Sequence, residues 1–529
     1  MSEIVSSLVL LPLAGAIAVL VGGRARPRAA QGIATGFTVA ALAATIWIAV
    51  THDPLADVAP SHSEAIFYPP TWHIDGINVW LLVLTALLTS AGVLITVARS
   101  QPRIDLYLAC LLILEAGLLG VFATDNLLWL FLCWEVTRVA LFFLIGGWGG
   151  TDRRPAAIKF FLFTLVGSGL TFAGCGLLVL SHYWMSGSAE FTLNLRQLVE
   201  ELPQLVAASS ANTQYWAGIE PWLFTAIGLG FAIQVPLFPL HIWLQDAAVE
   251  APTAGLLMLC GAWIKIGLYG WLRLLLPLFP GLCSDLAGYF LWPAAIGTIY
   301  GVMLALVQDD LKRLTANLTV SYASFSVLGL FSSTNIGING SLLALCSHGL
   351  SLGIVICVTS ALFTRYRTRE AEAFSGLASR YPRLAGVTFV GVASLIALPL
   401  TSGFIATATV SMGVARIHPG FVITALVALV LCTWCFLRVM QRVFGGTFRE
   451  PVIDHPSWTP QETITQAIRG DLNLREMAAV VPLILAVLCI GVAPQLFFSR
   501  TETAVSQIVA QQQSPPAAVE RVDDENLDR

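Results

Sequence analysis

Long apolar runs alternate with short polar stretches along the whole chain. Fourteen runs of about 18–25 residues, each long enough to cross a bilayer, begin near Ile4, Ile33, Ile77, Asp105, Asn126, Ala157, Ile219, Thr253, Leu286, Leu314, Ser341, Ala385, Phe421 and Met477. The pattern predicts an all-α polytopic membrane protein of about 14 transmembrane helices. Two of the runs are interrupted. The seventh carries Pro236 and Pro239 in Gln-Val-Pro-Leu-Phe-Pro-Leu-His, where two missing backbone donors break the hydrogen-bond ladder. The twelfth carries Pro399 and Gly403 in Leu-Pro-Leu-Thr-Ser-Gly-Phe. Broken helices at membrane depth are tolerated where they are buried or line a wet cavity. The two breaks lie five spans apart, an odd offset that reverses orientation. Broken seventh and twelfth helices in opposite orientations predict two inverted repeats, each with a site near the midplane. Two ordinary proline kinks are the plainer reading.

This spacing divides the chain into residues 1–103 with helices one to three, 104–276 as a first repeat of helices four to eight, and 286–440 as a second of helices nine to thirteen. Residues 441–510 hold an amphipathic loop and the last helix, and the polar, charged tail 511–529 reads as disordered. Arginines orient the spans. Arg24/Arg26/Arg28, Arg99/Arg103, Arg153/Arg154, Lys312/Arg313, Arg365 to Arg383 and Arg438/Arg442/Arg449 fall in alternate loops. The positive-inside rule then puts both termini on the outer side of the plasma membrane. Glu3 precedes the first apolar run and the arginines follow it, the reverse of a cleaved signal peptide.

Composition agrees with the pattern. Hydrophobic residues make up 56% and charged residues 11%, against about 25% charged in soluble domains. A net charge of −4 offers no basic face for nucleic acid. The ten cysteines lie mostly inside apolar runs, where they read as small packing residues. Cys432-x-x-Cys435 has no second pair to complete a metal or redox motif, and no glycine-rich dinucleotide loop follows a strand. No cofactor or metal site is expected in this chain.

Candidate chemistry then concentrates on Lys265. The chain has three lysines, Lys159, Lys265 and Lys312, and 25 arginines. Lys265 lies mid-run, about twelve residues from either end, too deep to snorkel to an interface. A lysine at that depth costs roughly 2.5–3.5 kcal/mol on insertion scales, which points to a proton relay, ion pathway or counter-ion. Glu115 is a second intramembrane carboxylate, open to either a functional or a structural reading. Asp309, Asp310, Lys312 and Arg313 sit at a helix–helix turn and read as interfacial anchors or as the lining of a proton entry. Glu250 opens the eighth helix, where the dipole favours a carboxylate.

Phe231–Arg273 reads FAIQVPLFPLHIWLQDAAVEAPTAGLLMLCGAWIKIGLYGWLR. This stretch, with Leu114–Glu135, Ala156–Ser168, Ala305–Ser321, Asp471–Glu476 and Gly491–Pro494, closely resembles the antiporter-like membrane subunits of respiratory complex I. The subunit M (chain 4) branch of NADH–quinone oxidoreductase is the nearest in pattern, and this chain is a divergent member. Sodium/proton antiporter subunits and membrane hydrogenase subunits share much of it. The resemblance implies a membrane-arm subunit of a proton-translocating complex, coupled to quinone reduction and packed against other membrane-arm subunits. NADH, FMN, iron–sulfur clusters and quinone would belong to the whole complex, and no redox centre to this chain. It further implies a central relay in which Glu135, Lys265 and His348 keep family positions and His241 is retained. A non-pumping structural paralogue, or a subunit of a multisubunit cation/proton antiporter, a membrane hydrogenase or an inorganic-carbon uptake complex, would carry much the same sequence.

Several relay positions are altered. Gln234 stands where the family has a seventh-helix lysine, and glutamine cannot carry charge. Thr407 stands at the twelfth-helix glutamate, Tyr322 where histidine is usual, and Ala248 also replaces a histidine. Arg138 follows Glu135 by three residues, and positions i and i+3 share a helix face. With Gln234 neutral, Arg138 is expected to pair with Glu135 as a charge clamp; snorkelling to the cytoplasmic edge is the alternative.

Overall fold

The computed structural model describes residues 2–24, 26–51, 72–96, 102–187, 191–449 and 470–513. The runs fold into α1 (Ser2–Gly22), α2 (Pro27–Thr51), α3 (Asn78–Ile95), α4 (Ile104–Ala123), α5 (Leu127–Trp148) and α6 (Arg153–Ser186). An amphipathic α7 (Leu195–Ala207) follows, then α8 (Ser210–Gln234) and the short α9 (Ile242–Glu250). The eighth span is α10 (Thr253–Leu278). After it come α11 (Ala287–Leu306), α12 (Leu311–Leu330), α13 (Asn335–Tyr366), α14 (Pro382–Leu395), α15 (Ser402–Ala415), α16 (Pro419–Phe444), α17 (Leu474–Val492) and α18 (Gln495–Gln513).

All fourteen expected segments are helical. Twelve are long and apolar enough to cross a membrane. The tenth, α12, has the length but carries Thr315, Asn317, Thr319, Ser321, Ser324 and Ser326 on buried faces. Thr315 and Thr319 return their hydroxyls to carbonyls one turn back, at 2.8 Å each, which lets a polar helix lie inside a bundle. The seventh span is α8 plus α9, separated by the proline-bearing residues 235–241. The twelfth is α14 plus α15. In the second break Ala397 and Leu400 adopt φ of 55° and 72°, a left-handed conformation costing roughly 1–2 kcal/mol per non-glycine residue. Backbone bonds from Ala397 and Leu398 to the carbonyls of Ser394 and Ala393, 3.1 and 2.8 Å, hold it.

Two boundaries differ from expectation. Helix α7 forms in a stretch read as a loop, and α18 continues through Gln513, so the first residues of the expected tail are helical. Residues 514–529 and most of the expected amphipathic loop, 450–469, lie outside the described residues, as does most of the loop after α2.

Burial sorts the helices. The apolar windows of α10 and α13 are fully buried, whereas those of α16 and α2 are only 28% and 33% buried. Helices α10 and α13 therefore form the central pillar, and α1, α2 and α16 present apolar side chains outward, as a lipid-facing shell requires. Counted from α4, the broken span is the fourth of five in each half. The inward ends of both breaks reach the pillar.

Candidate functional site

The centre of the molecule is a hydrogen bond between Lys265 Nζ on α10 and His348 Nδ1 on α13, 2.8 Å long. Lys265 is 1% and His348 3% exposed. Their approach follows from the packing of small residues. A methyl group on Gly349 would lie 2.6 Å from the carbonyl oxygen of Gly261. Only glycine lets these two backbones come so close, as membrane helix contacts often require. Helix α10 is also locally widened. Leu259–Trp263 and Trp271–Leu275 form turns of π-helix on either side of Lys265. Such turns interrupt the regular ladder and recur at functional sites.

One N–H lies between two nitrogens at this distance. Either the amine or ammonium donates to Nδ1, or Nδ1–H donates to the neutral amine. Protonating both would set two N–H groups against each other. No carboxylate contacts the pair among the described residues. His348 Nε2 has no protein partner.

Beyond His348 the line continues in neutral groups. The Tyr322 ring stacks on His348 at 5.0 Å between centroids, and its hydroxyl donates to the Leu395 carbonyl in the second break. Ser347 and Ser402 share a hydrogen bond of 2.8 Å, and Ser351 donates to Ser394 at 2.7 Å. Thr407, Tyr322 and His348 line a cavity of about 10 Å³. Thr407 and Tyr322 also line a neighbouring one of about 30 Å³ with Thr298, Ser321 and Cys432. Since a water needs roughly 10–15 Å³, these spaces have room for about one and two waters.

On the other side of Lys265, Gln234 ends α8 with 1% exposure. Its amide nitrogen donates to the Trp263 carbonyl at 3.3 Å, and its Oε1 has no protein partner. The Trp263 indole donates to Thr137 on α5 at 2.8 Å. One residue on, the Arg138 guanidinium pairs with Glu135 and donates to Ser168 of α6 at 2.5 Å. It also lies over the Phe161 ring at 5.0 Å. Arg138 is 2% exposed, enclosed by protein and not turned outward to a surface. Glu135 is less enclosed than Arg138, with its side chain 22% exposed. The i, i+3 spacing turns its Oε2 onto Arg138 and leaves part of the side chain at the α5 surface.

The remaining candidates lie apart from this centre. His241 follows the first break, stacked on Phe238 and edge-on to Tyr300, at 5.8 and 5.4 Å; no contact joins it to Lys265. Glu115 is 0% exposed, and both of its oxygens lack a protein partner. Lys312 donates to the carbonyls of Ala251 and Val249, 2.6 and 3.4 Å, closing the end of α9. Asp309 accepts from Arg442 at 2.9 Å. Near the turn, a cavity of about 360 Å³ is lined by Asp152, Lys159, Asp246, Glu250, Arg313 and Asn317.

Three polar groupings escaped the sequence reading. Ser168 reaches Arg138 from another helix. Arg273, at the far end of α10, pairs with Asp75 at 2.5 Å. Beside them Arg196 of α7 pairs with Asp125 at 2.9 Å and contacts His73. Burial opposes the charge of Asp75, but Arg273 and His73 outweigh it and hold its carboxyl well below the usual range. Arg365 pairs with Glu476 of α17 through two bonds of 2.7 and 2.8 Å. The capping-box spacing of Asn473 and Glu476 was the one sequence signal for that site.

Comparison with known proteins agrees with this architecture. The family described as NADH:quinone oxidoreductase/Mrp antiporter, TM, matches residues 124–433. NADH-quinone oxidoreductase subunit M of Rickettsia bellii is 31% identical over 439 residues, 82% of each chain. Subunit M of Rhodobacter capsulatus is 29% identical over 527 residues, 96% of this chain and 97% of that one. A chain of respiratory complex I from Thermus thermophilus with bound NADH superposes with a TM-score of 0.81 at 25% identity, covering 96% of this chain and 99% of that one. A chain of the Mrp complex from a Dietzia species shares the fold with a TM-score of 0.78 at 20% identity, covering 97% and 99%. By its match over residues 124–433 and its similarity to subunit M across most of its length, this chain belongs to the NADH:quinone oxidoreductase/Mrp antiporter family of membrane subunits.

Proposed function

We propose that this chain is a membrane-arm subunit of a proton-translocating NADH–quinone oxidoreductase, in which Lys265 and His348 together hold one transferable proton. The observation that carries the reading is the buried 2.8 Å contact between their nitrogens. A basic group buried without a carboxylate partner gains or loses its proton with small changes in its surroundings, as a proton store must. The pair titrates as a unit. Around it lie hydroxyls, an imidazole and small polar cavities, with no cage of carboxylate ligands among the described residues, so the site suits a proton better than sodium. His241, Glu115, Lys312 and Asp309 are secondary candidates for delivering the proton. Redox chemistry, with NADH, FMN, iron–sulfur clusters and quinone, is assigned to partner subunits. Both termini are assigned to the outer side of the plasma membrane, on the arginine alternation.

The test is purification of the chain from membranes in mild detergent, with the companion subunits identified by mass spectrometry. Recovery of quinone-site and peripheral redox subunits supports the reading. Recovery of only antiporter-like or unrelated subunits refutes it and assigns the fold to another ion-moving assembly.

A further inference from the structure

The Arg138–Glu135 pair is a charged centre inside the bundle that the function proposed above does not use. We infer that Arg138 is a positioning residue that locks Glu135 in its ionised form, so that the α5 end of the polar line holds charge without moving a proton; this rests on the proton-carrying role proposed for Lys265 and His348. Three contacts fix the guanidinium: the Glu135 carboxylate, Ser168 Oγ at 2.5 Å and the Phe161 ring at 5.0 Å. They come from two helices and engage both terminal nitrogens of a side chain that is 2% exposed, while its Nε has no partner. Guanidinium keeps its proton in proteins. The pair therefore has no base that can give a proton up. Protonating Glu135 instead would leave a buried cation without its counter-charge, which is strongly disfavoured.

The path toward Lys265 is neutral as well. Gln234 bonds to the Trp263 carbonyl, and Thr137 to the Trp263 indole. Among the described residues, no hydrogen bond or ion pair links a titratable side chain of α5, α6 or α8 to Lys265. The Glu135–Arg138 pair and the Lys265–His348 pair are thus separate centres. One is a fixed pair of zero net charge at α5 and α6. The other is a one-proton pair at α10 and α13. A lysine in place of Gln234 would find its carboxylate already taken.

The test uses the whole complex in liposomes, with two readouts: protons moved per electron, and the infrared band of a protonated carboxyl group. Lys265→Gln is expected to lower the ratio. Gln234→Lys alone should not raise it above the wild-type value, and Gln234→Lys with Arg138→Leu should raise it. The wild-type complex should show no protonated-carboxyl band sensitive to Glu135→Gln between about pH 5 and 9. Such a band should be gained in Arg138→Leu, and in Arg138→Lys, which keeps a cation able to release its proton. A Glu135-dependent band in the wild type, its absence from both Arg138 variants, or a raised ratio in Gln234→Lys alone would overturn the lock. An unchanged ratio in Lys265→Gln would instead overturn the proton-carrying role, while the infrared result still decides whether Glu135 is held ionised.

Discussion

Removing Glu476 tests the packing argument most directly. Its carboxylate meets Arg365 through two bonds of 2.7 and 2.8 Å, with side-chain exposures of 9% and 1%. Arg365 also donates to the Ala361 carbonyl at 2.9 Å and to the Gly470 carbonyl at 3.3 Å. Glu476 further accepts from the Asn473 amide at 2.9 Å, completing the capping box of α17. Glu476→Ala leaves a buried guanidinium without its counter-charge, a loss of about 3–5 kcal/mol. Losing the reciprocal cap adds about 1 kcal/mol. At about 1.4 kcal/mol per decade, a loss of about 4 kcal/mol is roughly a thousandfold fall in local protection. Hydrogen exchange of the first turns of α17 in the intact complex reads this quantity. Replacing both partners with leucine should cost less than either single change, because no buried charge is then left alone. A fall of less than about tenfold in Glu476→Ala, or a double variant as weak as the two singles summed, would refute the reasoning.

The other predictions concern the centre and the His73–Asp75 cluster. His348→Gln keeps a polar partner for Lys265 but no second titratable nitrogen, so proton transport through this subunit should slow by about 100-fold or more; an unchanged proton-to-electron ratio in liposomes would remove His348 from the store. Gly349→Ala sets a methyl group 2.6 Å from the Gly261 oxygen, so α10 and α13 must separate at a cost of about 1–3 kcal/mol. The thermal midpoint and proton transport should fall together, and normal values for both would show that the close approach is dispensable. In that cluster, burial holds the His73 imidazole below its ordinary 6.5, with Asp125 and Asp75 opposing and Arg196 and Arg273 assisting. Its folded pKa is thus the lower one, so its stabilising contribution is full above 6.5 and is lost as pH falls through the folded value. Exchange protection of the cluster should decline on mild acidification in the wild type but not in His73→Gln. Asp75, held well below the usual carboxylate range, should contribute only to a later, more acid loss.

Much of this protein was legible in one dimension. Span count, the two breaks and the depth of Lys265 follow from local causes: bilayer thickness, prolines without donors, and the cost of a charge in hydrocarbon. The Glu135–Arg138 contact was also readable, because i, i+3 neighbours share a face whatever surrounds them. Helix α7 was missed because its 13 residues mix Arg196, Glu200 and Glu201 with leucines, a pattern meaningful only against a surface.

What the chain order could not decide is which helices meet. Lys265 and His348 are 83 residues apart, and Arg365 and Glu476 are 111 apart. Nothing local to either member names its partner. In a membrane, apolar faces pack against lipid about as well as against one another, so hydrophobic pattern alone ranks no pairing above another. Tertiary structure chose these pairs through close glycine contacts and the satisfaction of buried polar atoms. The same packing turned Arg138 inward onto Ser168 and Phe161. It also left Thr407 beside a cavity instead of beside a charge. Local sequence thus determined the kinds of groups the membrane interior had to accommodate, and only the assembled bundle decided which of them could exchange a proton.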